Sequence, residues 1–180
     1  MKSVGSAKRA CSGVWVVLSI VAGGIGFCSF AQPILAQSSL EARVQRLEDE
    51  EAIRNLLVEY GRDLDTGNLV AYSNLFAKDG TFSGLLGSAK GPEAIFQFVQ
   101  KLMAKAKPYD PKHLRSFYLM TNFYIHVDGE RATATSKWIY WGRSEDNKLV
   151  PRLSGHYDDV FVRENGQWKF FSRASPRDIP

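Results

Sequence analysis

Two carboxylates, Asp63 and Asp65, fall in the last turn of a helical stretch that Gly67 ends. That end of a helix carries the negative pole of its macrodipole, and an anion there costs a few tenths to about 1 kcal/mol. An acid kept in such a place is a solvated surface group, a cap for the next helix, or a group turned into a cavity. In a cavity its pKa is raised and it can take a proton beside a carbonyl or a leaving group. Tyr60 precedes Asp65 by five residues and can share its surroundings. Further along, strand alternation puts Tyr118, Met120 and Asn122 on one face, Trp138, Tyr140 and Gly142 on one, and Gly155, Tyr157, Asp159 and Phe161 on one. Turned to one cavity, these residues make an aromatic cup with a few polar groups, as a small-ligand site requires. Turned to a solid core, they only fill it, which is the reading favoured for Trp138, Phe161 and Trp168.

Other chemistries find little support. The histidines are His113, His126 and His156. His113 lies in or next to a loop, His126 beside the Asp128-Gly129 turn, and His156 has the parity opposite to Tyr157. No His/Asp/Glu cluster has metal-ligand spacing, so neither a metal nor another cofactor is expected. No serine sits in a nucleophile elbow, and no glycine-rich phosphate loop occurs.

The elements that must position these groups can be read in order. Ser38 and Glu41 form a capping box ahead of Leu40, Val44, Leu47, Ile53, Leu56, Leu57, Tyr60 and Leu64, which predicts one long helix over about 39–65. Its first turns extend beyond what a small core needs and offer a surface to a partner chain. Asn68 can cap a short helix over 69–76, followed by a strand over 81–86 and a loop over 87–91. Pro92 opens another helix, and 105–112 reads as a loop. From there the apolar period becomes two. Strands are predicted over 114–127, 131–143, 149–163 and 167–174, with turns at Asp128-Gly129 and Asn165-Gly166, and a tail over 176–180. Helices first and an antiparallel meander afterwards give an α+β domain with its helices on one face of a curved sheet.

The ends of the chain set further bounds. Residues 1–36 hold Lys2, Lys8 and Arg9, no acid, and an apolar run from Val14 to Phe30. This is the pattern of a secretory signal, cut after Ala31 or Ala36. The alternative is an uncleaved anchor, since the run approaches the roughly 17–25 residues a spanning helix needs. Cleavage removes three positive charges and takes the formal net charge from +4 to +1. No basic patch then remains for nucleic acid. Cys11 and Cys28 leave with the same segment, which excludes disulfide and thiolate chemistry from the rest. The expectation is a signal peptide over 1–36, one domain over 37–180, a periplasmic or secreted location, and no membrane association after cleavage.

This order of elements, with Tyr60–Asp65, Leu75–Gly80, Lys90–Glu93, Thr121-Asn122, Gly155–Asp159 and Gly166–Phe170, resembles the SnoaL-like family of the nuclear transport factor 2-like superfamily. The resemblance runs from about residue 40 to the C-terminus. It implies a cone-shaped α+β fold, common pairing as a homodimer, and a small apolar molecule as partner. The superfamily holds dehydratases, isomerases and cyclases as well as non-catalytic binding modules. In enzymes such as scytalone dehydratase and the bacterial bile-acid dehydratase an aspartate ends the first long helix and points into the cone. Asp65 matches it, and Tyr60 matches a tyrosine that lines the bile-acid enzyme's site. A histidine on the first long strand has Tyr118 or Asn122 at its place, and Arg177 falls roughly where a C-terminal arginine stands. The resemblance thus implies a cofactor-free lyase or isomerase with Asp65, Tyr60 and Tyr118 as catalytic groups. Asn122, Trp138, Tyr140, Tyr157 and Asp159 would bind substrate. The other reading is a non-catalytic module that binds a small ligand or a protein.

Overall fold

A computed structural model of the chain describes residues 32–104 and 116–179. The expected leader up to Ala31, the 105–112 loop and His113 lie outside the described residues. The elements are α1 (Gln32–Thr66), α2 (Leu69–Asn74), β1 (Phe76–Gly84), β2 (Gly87–Lys90), α3 (Pro92–Met103), β3 (Phe117–Asp128), β4 (Arg131–Arg143), β5 (Leu149–Glu164), β6 (Gln167–Ser175) and β7 (Arg177–Ile179).

The expected helix is present and starts earlier, at Gln32. Ile53, Leu57, Tyr60 and Leu64 recur every three or four residues and form its buried stripe. Fully burying an aliphatic side chain of this size is worth about 1.5–3 kcal/mol, so this stripe fixes α1 on the sheet. Gly67 adopts φ +74° and ends the helix. The Asn68 side chain accepts from the Ala71 N–H and starts α2. Pro92 occupies the first turn of α3, as expected.

The strands run β2-β1-β6-β5-β4-β3, with β7 paired to β5. The pairs from β3 to β6 are antiparallel. One pair departs from the meander: β1 lies parallel to β6, so the sheet is mixed. This explains why Phe76, expected at the end of α2, opens β1. It pairs with Phe170, the rings are 5.1 Å apart, and the Phe170 N–H donates to the Leu75 carbonyl at 2.9 Å. The stretch expected as a loop over 87–91 is β2, and part of the expected tail is β7.

Register shifts in the β3–β4, β4–β5 and β5–β6 pairs bend the sheet around the helices. In β3, Thr121 faces Lys137 and Tyr124 faces Thr135, so Asn122 and Phe123 together oppose one residue. Asn122 takes φ +55° there, a left-handed conformation that asparagine tolerates better than most residues. In β6 the extra residue is Phe171. The core lies between α1, α2 and α3 and the concave face of β4, β5 and β6.

Candidate functional site

The helices do not fill the concave face completely. A cavity of about 340 Å³ remains, within the range typical of small-molecule sites. Its aromatic wall is Tyr60 from α1, Tyr72 from α2, Phe82 from β1, Phe98 from α3, and Tyr118, Trp138, Tyr140 and Tyr157 from β3, β4 and β5. Leu64, Val99, Leu102, Met103 and Leu153 complete the apolar lining, and Leu85 and Leu86 stand at its edge in the β1–β2 turn. Ser175 and the tyrosine hydroxyls are its polar groups.

The hydroxyls are organised. Tyr72 donates to the Tyr60 hydroxyl at 3.0 Å. Burial pushes the Tyr60, Tyr72, Tyr118 and Tyr157 phenols above their ordinary pKa. For Tyr118 the neighbouring phenols of Tyr157 and Tyr140 and the charge of Asp65 add to the rise. These groups are protonated at neutral pH. They hold a ligand oxygen by hydrogen bonds and are poor proton acceptors.

Of the residues singled out in the sequence, Tyr60, Tyr118, Trp138, Tyr140 and Tyr157 meet in this cavity. Trp138 both packs the core and lines the site. Its indole N–H donates to the His156 carbonyl at 3.2 Å. Its ring leaves no room for a side chain at position 155, where a Cβ would lie 2.6 Å from Trp138 Cζ2.

Three residues stand elsewhere. Asn122 is exposed and accepts from its neighbour, the Thr121 hydroxyl. The β3 bulge breaks the alternation, so Tyr118 and Met120 face the helices while Asn122 does not. Asp159 is buried behind the cavity wall, with Oδ2 3.4 Å from Arg173 Nη1. Burial pushes its carboxyl up to about 6 although Arg173 opposes the rise. Asp65 is half-buried, and its Oδ1 accepts the Tyr118 backbone N–H at 2.9 Å. It is not among the described residues that line the cavity, but its sequence neighbour Leu64 and its partner Tyr118 both are. Asp63, the other acid of that turn, is the more deeply buried, and burial raises its pKa.

Sequence reasoning missed Arg173. It is fully buried in β6, with its guanidinium carbon 3.6 Å from the Tyr157 ring centre and 3.9 Å from that of Tyr60. Both rings face the cavity, so a cation backs two of its walls. The β6 bulge at Phe171 turns this residue inward, and nothing local announces that bulge. Among the described residues no group of three His, Cys, Asp or Glu side chains could hold a metal ion.

Helices closed over a curved sheet around an aromatic cavity define the nuclear transport factor 2-like class of α+β domains. A family model described as a SnoaL-like domain matches residues 45–174, and the chain belongs to that family. Similar solved structures include a nuclear transport factor 2-like protein with a cystatin-like fold from Novosphingobium aromaticivorans. It is 24% identical, with a TM-score of 0.68 over 78% of this chain and 89% of that one. LinA is 18% identical, with a TM-score of 0.64 over 76% and 90%. ActVI-ORFA from Streptomyces coelicolor is 19% identical, with a TM-score of 0.61 over 72% and 97%. A search of curated proteins finds no match.

Proposed function

We propose that the domain binds a small, largely apolar molecule in the cone. The observation that carries this reading is the cavity itself, with aromatic and aliphatic walls and protonated phenols. No charged side chain is among the described residues that line it. Moving an ionised group out of water into such a site is costly, so the ligand is uncharged. Its carbonyl or hydroxyl groups meet the Tyr60, Tyr118, Tyr140 or Tyr157 hydroxyls. Trp138 supplies the assay, because its emission reports on occupancy. Titration with small polycyclic ketones and phenols should change that emission. In calorimetric titrations with the same compounds Leu102→Trp, which fills the cavity, should abolish binding, and binding indifferent to it would refute the site.

A second reading, cofactor-free lyase or isomerase chemistry, rests on Asp65. The Tyr118 N–H holds its carboxylate at 2.9 Å beside two cavity-lining residues, at the position where the family's enzymes keep their acid. In this reading Asp65 removes a proton from the bound molecule, and Tyr60 and Tyr118 hold the oxygen on which charge develops. Asp65→Asn should then end turnover and leave binding within about twofold. Turnover that survives the substitution eliminates Asp65 as the base. Export to the periplasm or medium is part of the same proposal, supported by the basic and apolar character of residues 1–36. Cell fractionation with N-terminal sequencing tests it, and a cytosolic chain starting at Met1 would disprove it.

A further inference from the structure

The turns of α1 from Ser39 to Glu48 face solvent. Every residue from 39 to 48 is exposed, and packing begins at Asp49, which accepts from Arg163 and from the Trp168 indole. A lone helical segment of about 15 residues is marginal in water. This one also carries Leu40, Val44 and Leu47, which are 56%, 44% and 64% exposed. They recur at i, i+4 and i+7 and form one stripe. At about 100° per residue, that stripe lies on the side of α1 opposite to Ile53, Leu57, Tyr60 and Leu64. The helix therefore has two apolar faces, one spent on the domain and one turned away from it.

We infer that the outer stripe is an interface between two copies of this chain, in which the 40–47 segments pair in parallel. Leu40 and Leu47 then take one seam position of a heptad and Val44 the other. The flanking charges select both the partner and the direction. Arg43 lies on one side of the stripe, and Glu41 and Glu48 on the other. In a parallel pair, Arg43 of each copy faces Glu48 of its partner. An antiparallel pair centred on the stripe sets Arg43 against Arg43 and Glu41 against Glu48. Opposite charges thus meet only in the parallel arrangement. The seam is short, because Glu51 and Arg54 follow on the same side of the helix and bond each other within the chain at 3.6 Å. The domains hang from the outer faces of the paired helices, so both cavities stay open.

The test uses the protein expressed from its full coding sequence and purified as processed. Sedimentation and light scattering at micromolar concentration should give a dimer. Leu40→Glu with Leu47→Glu should give a monomer with unchanged tryptophan emission, whose circular dichroism loses at most the turns over 39–48. Arg43→Glu alone should weaken the dimer at least ~10-fold, and Arg43→Glu with Glu48→Arg should restore it. A monomeric wild type overturns the proposal. So does a dimer indifferent to the two leucine substitutions, which would put the interface elsewhere. A charge exchange that fails to restore pairing overturns the parallel arrangement.

Discussion

Replacing Arg173 by methionine removes the cation that compensates Asp159 among the described residues, and the fold should lose stability. Both side chains are fully buried and 3.4 Å apart. Breaking a buried ion pair from one side typically costs about 3–5 kcal/mol, because the remaining charge is stranded. The guanidinium also stacks on Tyr60 and Tyr157, with Phe170 4.7 Å away, and such contacts are worth about 1–2 kcal/mol when desolvated. Methionine returns part of this by packing on the same rings. Arg173→Met should therefore cost about 4 kcal/mol at pH 7, against a total stability on the order of 5–15 kcal/mol. The pH dependence is the sharper test. Burial raises the Asp159 carboxyl from 3.8 to about 6 in the folded protein. The folded state then binds the proton more tightly than the unfolded one. Stability linked to this group is complete below about pH 4 and lost as pH rises through about 6, a span on the order of 3 kcal/mol. Without Arg173 the carboxyl rises further, so the deficit of the variant should shrink at pH 4.5 relative to pH 7. Asp159→Asn with Arg173→Met should recover much of the loss, since no charge is then buried. Urea unfolding followed by tryptophan emission at both pH values measures all of this. A cost under about 1 kcal/mol, a cost independent of pH, or a double variant no better than Arg173→Met would refute the reasoning.

The other anchor of the fold should respond in the opposite sense to acid. Burial alone would raise the Asp49 pKa, but hydrogen bonds from Arg163 and the Trp168 indole outweigh it and hold the carboxyl below its ordinary value. Its contribution is present above the ordinary carboxylate range and lost as pH falls below about 4. Asp49→Ala should cost about 2–4 kcal/mol at pH 7 and much less at pH 3 in urea unfolding. Gly155→Ala should be strongly destabilising, by more than about 2 kcal/mol. Its Cβ would lie 2.5 Å from the Pro176 carbonyl oxygen and 2.6 Å from the Trp138 ring, and a thermal melt would show the loss.

What the sequence made legible is what local physics decides. The apolar spacing of α1, the stop at Gly67, the cap at Asn68, Pro92 in the first turn of α3, and the turn at Asn165-Gly166 all follow from residues within a few positions of one another. Asn165 and Gly166 take φ +50° and +78°, as that dipeptide favours. Strand parity likewise gathered Tyr118, Trp138, Tyr140 and Tyr157, because β3 up to Thr121 keeps one register against β4, and β4 up to Tyr140 keeps one register against β5 from Leu153 onward. The failures occur where a distant partner decides. Phe76 enters a strand because Phe170, far along the chain, offers it a parallel pairing. One extra residue in a strand exchanges its faces for everything beyond it. The bulge in β3 sends Asn122 out to solvent. The bulge in β6 brings Arg173 in, with Ser175 two residues later at the cavity wall. Both bulges are set by how a curved sheet closes around α1, so no window of sequence holds the information. A polar residue expected in the cavity was lost, and a cation that no periodicity suggested was gained behind it. The electrostatic character of the site is therefore a product of sheet curvature, even though its aromatic walls can be read residue by residue.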